Sequence, residues 1–361
     1  MVSIRGRYCS VNKYTPFLKF KVAEIGALKA LEDSELSSIT PFFDLATKND
    51  ITANDLENTI TKGVRKYELN FKRANGFYID DYDIDDSIRI QGAIVYEFLI
   101  DTFQKIDFIP VVGLDRTDSR NNSVLSSLVI SDTVAIRLNQ DDFVSYNLIE
   151  DEISDLIADM GEKFDKFHLI LDCRLCIGAD SVELSNRLIM FIKLIVQEHR
   201  FDKIIITGSS ISPSIADILS VCTEETLARV ECEVFDLVNQ ELSLELEFGD
   251  YTVISPNYSD VNIPQNALRK VMTPKVIYSY KNKHHFLRGG AIETHPRGAK
   301  QYDDMCKKLV SYAFFRKRNY SFGDKYLEDK SRSVGADALP HSIGKYLINA
   351  HMTYMINDYP V

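Results

Sequence analysis

The chain has 361 residues, of which 45% are hydrophobic and 26% are charged, and its formal net charge is −11. This composition is ordinary for a globular protein and excludes disordered and fibrous chains. Wrapping of nucleic acid over the whole surface is also excluded, because phosphate neutralisation supplies most of that affinity. The local basic segments are most simply interpreted as solvated surface; they are Lys307-Lys308, Arg316-Lys317-Arg318, and Lys281 with Lys283.

The N-terminal segment and the cysteines predict a cytoplasmic protein without membrane contact. Residues 1–10 contain no apolar stretch of signal-peptide length, and no run approaches the roughly 18 apolar residues of a membrane span. Cys173 and Cys176 form a Cys-x-x-Cys pair, but no second pair follows at zinc-site spacing. We therefore interpret the thiols as reduced and structural.

Eight short apolar runs predict β-strands. Several are apolar at consecutive positions, as in Ile204-Ile205-Ile206, which is typical of parallel strands buried on both faces. The predicted strands are Pro16–Phe20, Thr40–Leu45, Phe77–Tyr82, Asp107–Leu114, Thr133–Leu138, Phe167–Asp172, Lys203–Gly208 and Tyr251–Ser255.

Amphipathic helix patterns separate these runs. Ser154–Phe164 and Val182–His199 have apolar residues at helical spacing, a further helix follows Asp86-Ser87, and Ser212-Pro213 is a helix-start signal. Strand–helix alternation implies right-handed crossovers and a parallel sheet. Eight repeats in about 240 residues fit an α/β fold of the closed (β/α)₈, TIM-barrel-like type. The alternative, an open doubly wound sheet, lacks a Gly-x-Gly-x-x-Gly motif after the first strand.

The regular alternation of strands and helices ends after Ser255. We therefore divide the chain into a barrel over residues 1–274 and an extension over residues 275–361. Lys275–Tyr280 and His285–Arg288 predict a β-hairpin. A long helix is predicted over Gly298–Arg316, followed by shorter helices and a last β-like run, Met352–Ile356. The regular apolar stripe of the long helix indicates that this extension packs on the barrel.

Charged residues occur at the carboxyl ends of the predicted strands, where barrel enzymes place their catalytic groups. Asp44, Asp80 and Asp172 are candidate catalytic residues, and their oxygens would also be the ligands of Mg²⁺ or Mn²⁺ if a metal is bound. A second set would bind a phosphate or carboxylate group. Its members are Lys19, Lys21, Arg116, Arg137, Arg174 and Tyr258.

A competing interpretation of these residues is structural. Each Asp would cap the helix that follows its strand, and each Arg would pair with an Asp across the barrel mouth. Capping suffices for any single Asp, but it explains five cationic residues at one mouth less well. Elsewhere, His341 and His351 are the histidines kept as candidates, and Ser209 before Ser212-Pro213 is only weakly similar to a phosphate cradle.

Short sequence blocks along nearly the whole chain stand in the order of one family. They are Pro16–Lys21, Ile39–Asp44, Arg229 with Glu231, Phe248–Tyr251, Leu287–Gly290, Gln301-Tyr302, Ser321–Asp324 and His351–Thr353. These blocks resemble the phage T4 beta protein family, which tends to have Trp at the position of Phe322 and two adjacent histidines where this chain has Ala350-His351.

The resemblance implies a role in conflict between phages and bacteria more than a mechanism. It makes a functional role more strongly expected for some residues than for their neighbours. These are Lys19, Lys21, Asp44, Arg288 and Asp324, and Arg288 thereby joins the candidate ligand-binding residues. Gly249-Asp250-Tyr251 falls at the start of the predicted eighth strand, the end of a barrel that serves stability, so a folding role is expected there.

Two functions follow from these observations. The first is a phage- or defence-associated, metal-dependent hydrolase acting on a nucleotide or phosphodiester at the barrel mouth, where the carboxylates would hold the metal that activates water. The alternative is a non-catalytic protein-interaction module of a phage or anti-phage defence system, with the extension as its interface. The partner is accordingly a nucleotide or other small molecule, or a protein.

Overall fold

The computed structural model describes residues 14–47, 50–70, 76–258 and 272–359. Thirteen β-strands are present in this part of the chain. They are β1 (Tyr14–Lys19), β2 (Phe42–Asp44), β3 (Tyr78–Asp80), β4 (Arg89–Ile90), β5 (Ala93–Ile94), β6 (Ile109–Val112), β7 (Thr133–Asn139), β8 (Lys166–Leu175), β9 (Lys203–Ser209), β10 (Glu224–Ala228), β11 (Leu246–Asp250), β12 (Lys275–Tyr280) and β13 (Lys283–Arg288).

Eight of these strands close into a parallel barrel in the order β1-β11-β9-β8-β7-β6-β3-β2. The α/β, TIM-barrel-like prediction is therefore confirmed. Strand register brings equivalent residues side by side, for example Lys19 opposite Asp44 and Asp44 opposite Asp80. Because side chains alternate along a strand, every second residue points into the barrel.

The barrel interior is a packed core. Phe17 stacks on Phe42 with ring centroids 4.3 Å apart. Five further barrel strands add one buried side chain each, and Tyr251 joins them from the residue after β11. The buried cluster consists of Phe17, Phe42, Tyr78, Val111, Ala135, Ile170, Ile205 and Tyr251. The next inward-pointing residues, two positions nearer the carboxyl ends of the strands, pack directly on this layer. The polar groups at the barrel mouth are therefore supported by a tightly packed apolar core.

Eleven α-helices lie in the described residues, and most of them cover the barrel. They are α1 (Val22–Lys29), α2 (Asp33–Leu36), α3 (Ala53–Asn70), α4 (Val95–Thr102), α5 (Asp118–Ser123), α6 (Glu150–Met160), α7 (Ser181–Glu198), α8 (Val230–Glu241), α9 (Gln301–Leu309), α10 (Phe322–Ser331) and α11 (Pro340–Asn357). None of the helices in the described residues is long and apolar enough to cross a membrane.

The eighth barrel strand lies earlier than predicted. It is β11, and the predicted strand Tyr251–Ser255 forms turns over the mouth instead. A charged residue, Glu247, lies in the middle of β11, which is unusual for a strand buried on both faces. Its carboxylate is buried in an ion pair with Lys203, with Nζ 2.8 Å from Oε2. As a result Asp250 ends the strand and does not begin it, so the expected position of the Gly249-Asp250-Tyr251 block was wrong.

The segment after Ser212-Pro213 also differs from its prediction. One 3₁₀ turn, Ile215–Asp217, forms there, and Ser214 caps it by accepting a hydrogen bond from the Ala216 amide at 3.2 Å. The chain then enters β10, which pairs antiparallel with β13. The helix is displaced to α8 because five residues of this crossover are hydrogen-bonded to the extension.

The extension begins with the predicted hairpin, whose turn is the two-residue Lys281-Asn282, and β10 completes a three-stranded sheet. The predicted helix Gly298–Arg316 ends at Leu309, and Arg316 donates to the Ser279 carbonyl at 2.6 Å. The predicted β-like run Met352–Ile356 is wrong. It belongs to α11, whose apolar residues are consecutive because this helix is buried on several sides.

Candidate functional site

Arg137 lies at the centre of the barrel mouth. It points inward from β7, and its Nη1 is 2.7 Å from Asp44 Oδ1 and 2.8 Å from Asp80 Oδ2. Its Nη2 is 2.6 Å from Asp172 Oδ2 and 2.8 Å from the Tyr251 hydroxyl. One guanidinium thus bridges three carboxylates from three strands, and its side chain is 0% exposed.

Further cations surround the same carboxylates. Lys19 Nζ is 3.4 Å from Asp44 and 3.0 Å from Asp83. Arg116 Nη2 is 2.9 Å from Asp80 Oδ2. Arg120 on α5 forms ion pairs with both Asp80 and Asp81. The mouth is therefore an alternating network of Asp and basic side chains in which the buried charges compensate one another.

The network changes the ionisation of its members. Burial alone would raise the pKa of Asp44, but Arg137 and Lys19 hold that pKa below its ordinary value. Burial likewise opposes the charge on Asp80, yet Arg116, Arg120 and Arg137 lower its pKa. The pKa of Lys19 is raised because Asp44 and Asp83 outweigh the desolvation of its ammonium group. These groups are thus charged at neutral pH.

Tyr82 forms the lid of this network. Three guanidinium carbons approach its ring, at 4.7 Å from Arg116, 4.5 Å from Arg137 and 4.5 Å from Arg174. Such contacts are favourable because the face of an aromatic ring is electron-rich. Tyr82 therefore separates the buried Arg137 from solvent and holds Arg116 and Arg174 at the rim.

Two of the rim arginines have donors to spare. Arg174 uses Nη2 to bind Asp83 at 3.0 Å and Asn257 Oδ1 at 2.9 Å, while its Nη1 is buried without a partner in the described part of the chain. The Nε of Arg116 is buried and unpartnered in the same sense. Arg174 also has φ of +49°, a strained conformation that is uncommon outside glycine.

Most of the predicted residues do meet at the mouth. Lys19 and Lys21 lie over the Tyr258 ring, at 4.8 Å and 5.5 Å from its centroid, and the Tyr258 hydroxyl accepts a hydrogen bond from the Thr47 amide at 3.1 Å. Arg288 does not join them. It donates to the Leu219 carbonyl at 2.5 Å and lines a separate cavity of about 220 Å³.

The carboxylates do not have the arrangement of a metal site. Asp44, Asp80 and Asp172 each accept a hydrogen bond from Arg137, so a cation already occupies the space between them. Across residues 14–47, 50–70, 76–258 and 272–359, no group of three His, Cys, Asp or Glu side chains is placed to hold a metal. The predicted Mg²⁺ or Mn²⁺ ligands therefore do not fit that role, and we derive no metal-dependent step.

Sequence reasoning did not include Arg120, Tyr82, Tyr251 and Asp142 among its candidates. Tyr82 stands between strand-end aspartates, so its position was a usable signal. Arg120 lies on a helix and Tyr251 was assigned to the wrong end of a strand, so no local pattern pointed to them. Asp142 follows β7, and its carboxylate accepts a hydrogen bond from the Asn139 amide at 2.7 Å. Burial raises the pKa of Asp142 to about 6.

A second buried network joins the barrel to the extension. Asp250 at the end of β11 accepts hydrogen bonds from Tyr14 at 2.8 Å and His351 Nε2 at 2.9 Å, and it pairs with Arg229. Arg229 Nε also binds Glu231 at 2.9 Å. This network lies outside the barrel wall, on the opposite face of the strand ends from Arg137.

The junction includes a serine–histidine–aspartate chain. Ser279 Oγ is 2.6 Å from His351 Nδ1 and 2.9 Å from His284 Nδ1. Because His351 Nε2 donates to Asp250, its Nδ1 accepts from Ser279, whose oxygen then accepts from His284 Nδ1–H. Burial lowers the pKa of His351, so the ring is neutral at pH 7. His351 and Ser279 are only 1% exposed. We therefore interpret this series of hydrogen bonds as a structural link between the barrel and the extension. His341, at the start of α11, is exposed and lies three turns from His351.

These features define a (β/α)₈-barrel protein with a compensated ion-pair network in its mouth and a second one under its C-terminal extension. The chain belongs to the Beta protein family, whose model matches residues 14–357. No curated protein gives a significant match. Among solved structures, triosephosphate isomerase from Bartonella henselae is 11% identical, covering 66% of this chain and 92% of that chain, with a TM-score of 0.33. The barrel itself is established by the pairing of its eight strands.

Proposed function

We propose that the barrel mouth binds a small ligand through a phosphate or carboxylate group, with nucleotides as the preferred class. The observation that carries this proposal is the pair of spare donors beside Tyr82, namely Arg174 Nη1 and Arg116 Nε. A buried donor without an acceptor is costly, of the order of 1–3 kcal/mol, and more for a charged group. An anionic oxygen of a ligand would satisfy these donors.

The neighbouring charges favour an anion at this place. The aspartates of the mouth are already neutralised by Arg137, Lys19, Arg116 and Arg120, so they would repel an incoming anion less than free carboxylates. Guanidinium groups match the geometry of phosphate and carboxylate. Lys21 at the rim adds a cation, and the Tyr82 and Tyr258 rings lie next to these cations, where the base of a nucleotide would contact them.

If the protein is a hydrolase, its own side chains would supply the acid–base chemistry. Asp142 is the candidate general base, because a carboxyl group with a pKa of about 6 is mostly deprotonated at neutral pH and still accepts a proton. Its position next to the Asn139 amide places it at the carboxyl end of β7, on the rim of the mouth. This version of the hydrolase proposal replaces metal-activated water with water activated by Asp142.

The test is a thermal-shift and calorimetric screen of the whole chain against inorganic phosphate and nucleoside mono-, di- and triphosphates, with and without Mg²⁺ or Mn²⁺. A ligand at about 100 times its Kd stabilises the native state by about 2.7 kcal/mol. We expect this stabilisation in the wild type and in Arg187→Met, which removes an exposed helix ion pair with Glu183. We expect its loss in Arg174→Met.

Stabilisation that survives in Arg174→Met would contradict the proposed site. Stabilisation that appears only with metal would contradict the metal-free version. No stabilisation by any ligand would favour the second candidate, a cytoplasmic protein-interaction module of a phage or defence system.

A further inference from the structure

Basic segments that are far apart in sequence meet on one face of the extension. Lys281 and Lys283 lie at the turn of the β12–β13 hairpin, and Tyr280 precedes them. Lys307 lies in the last turn of α9, and Lys317 lies in the loop between α9 and α10. Aromatic residues of the hairpin and of the loop after α9 are in direct contact, which brings together the segments that carry these lysines.

The contact is a ladder of three stacked rings, Tyr280, Phe314 and Tyr312, called here the aromatic ladder. Tyr280 and Phe314 have centroids 4.0 Å apart and planes that differ by 3°. Phe314 and Tyr312 follow at 5.0 Å and 12°. All three side chains are partly exposed. A parallel ladder of accessible rings is a surface on which further flat rings can stack.

The lysines around the ladder are available to a partner. Lys281, Lys283, Lys307 and Lys317 are exposed, and none of them forms an ion pair with an acidic group in the described part of the chain. Two carboxylates lie beside these segments, and both already have partners. Glu224 is bound by Lys308 at 2.9 Å and by the Tyr312 hydroxyl at 2.8 Å, and Asp236 accepts a hydrogen bond from the Asn282 side chain at 3.3 Å. This face is therefore locally basic in a protein whose net charge is −11.

We infer that this face binds single-stranded nucleic acid. Unpaired bases would extend the aromatic ladder, and the lysines would contact the phosphates on either side of it, which is how sequence-tolerant single-strand sites work. A duplex keeps its bases stacked inside and cannot use the rings. The acidic remainder of the surface limits the contact to a few nucleotides. The inference goes beyond the mouth proposal and shares no residue with it.

The experiment measures the fluorescence anisotropy of a labelled oligothymidylate of about 15 nucleotides, titrated with the whole chain between about 50 and 200 mM salt. The same strand as RNA and as a duplex are further probes. Each neutralised phosphate of a single strand contributes about 0.7 to the slope of log affinity against log salt. Lys281→Gln with Lys317→Gln should therefore reduce this slope by about 1.4 and weaken binding about tenfold.

The matched control is Arg65→Gln with Lys105→Gln, two exposed cations on barrel helices or their ends, which changes the net charge equally. It should leave affinity within about twofold and the slope unchanged. Tyr280→Ala should weaken binding about tenfold or more without changing the slope, since stacking is not ionic, whereas Tyr280→Phe should retain affinity. The lysine variant keeps the test decisive if Tyr280→Ala does not fold.

Several outcomes would overturn the inference. They are absence of binding by the wild type, equal or tighter binding of the duplex, and the same loss in the control pair as in the lysine pair. Because nucleotide stabilisation at the mouth is measured separately with Arg174→Met, failure of either proposal can be told from failure of the other.

Discussion

The barrel mouth and the junction between barrel and extension each bury an arginine among carboxylates, the first inside the barrel and the second outside its wall. In the mouth, Arg137 lies among three inward carboxylates. At the junction, Arg229 lies between Asp250 and Glu231 outside the wall. The two networks differ in their remaining donors. Among the described residues, Arg174 and Arg116 at the mouth each have a nitrogen without a partner, whereas the third nitrogen of Arg229 contacts Met355 Sδ at 3.2 Å.

This difference separates two uses of a buried ion network. A network that satisfies all of its own groups contributes to the unique packing of two parts of a chain, although its net stabilisation is small because desolvation is costly. A network that holds spare donors at the rim of a mouth is pre-organised for a ligand. We therefore expect substitutions at the junction to change stability and substitutions at the rim of the mouth to change binding.

The largest effect is expected for Arg229→Met. Methionine keeps most of the side-chain volume but leaves Asp250 and Glu231 as buried carboxylates without their cation, and removing one partner of a buried pair costs about 3–5 kcal/mol. Urea denaturation would measure the loss. The control, Arg297→Met, removes an Arg–Asp pair whose side chains are 47% and 52% exposed, for which we expect at most about 1 kcal/mol.

The mouth supplies the contrasting measurement. After Arg174→Met, Asp83 still has Lys19 Nζ at 3.0 Å, so its charge remains compensated. We therefore expect Arg174→Met to lose about 1–2 kcal/mol, less than Arg229→Met. Equal losses for Arg229→Met and Arg174→Met would remove the distinction between the two networks.

The sequence was informative about the barrel because its signals are local. Consecutive apolar residues predicted buried parallel strands, and strand-end charges such as Asp44, Arg137 and Asp172 were correctly placed at one mouth. The pairing among them was not predictable, since it depends on strand register across the barrel. A carboxylate is also equally suited to a metal or an arginine, so residue type alone did not show that Arg137 occupies the centre.

The junction was less predictable for a physical reason. Its contacts join residues that are hundreds of positions apart, such as Tyr14 with Asp250 and Asn349 with the Ala27 carbonyl. The buried helix α11 carries apolar residues on several sides, so part of it had the pattern of a strand. Buried Glu247 similarly concealed β11. A short run of consecutive apolar residues indicates a segment that is covered on several sides, but it does not tell a buried strand from a buried helix.

An intermediate effect is expected for Gly323→Ala, which tests how tightly the junction is packed. A Cβ atom at Gly323 would lie 2.1 Å from the Tyr346 carbonyl oxygen and 2.8 Å from Ala350 Cβ, so α10 would have to move away from α11. Overpacking of this kind costs about 1–3 kcal/mol. Denaturation midpoints would measure it, with ligand binding at the mouth expected to persist.

Gly344→Ala is the matched control in the same part of the extension. A Cβ atom at Gly344 in α11 meets nothing within 4 Å among the described residues. Alanine is favoured over glycine in a helix by up to about 1 kcal/mol, so this variant should be stabilised. Destabilisation by both substitutions would indicate that helix position and not interhelix contact sets the effect.

The smallest effect is expected at the mouth, for Asp142→Asn. Burial raises the pKa of Asp142 from 3.8 to about 6, so the folded protein binds this proton more tightly than the unfolded chain. The corresponding stability is present below pH 3.8 and is lost as the pH rises through about 6. Asparagine cannot ionise and still accepts from the Asn139 amide, so the variant avoids this loss.

We therefore expect the free energy of unfolding of Asp142→Asn at pH 8 to exceed that of the wild type by about 1 kcal/mol, after allowance for solvent screening. The difference should shrink as the pH falls and vanish near pH 4. Chemical denaturation at several pH values would measure it. A constant difference across that range would mean that the Asp142 carboxyl is not held in a desolvated position. In that case it would also lose its place as the candidate base, because that role depends on its raised pKa.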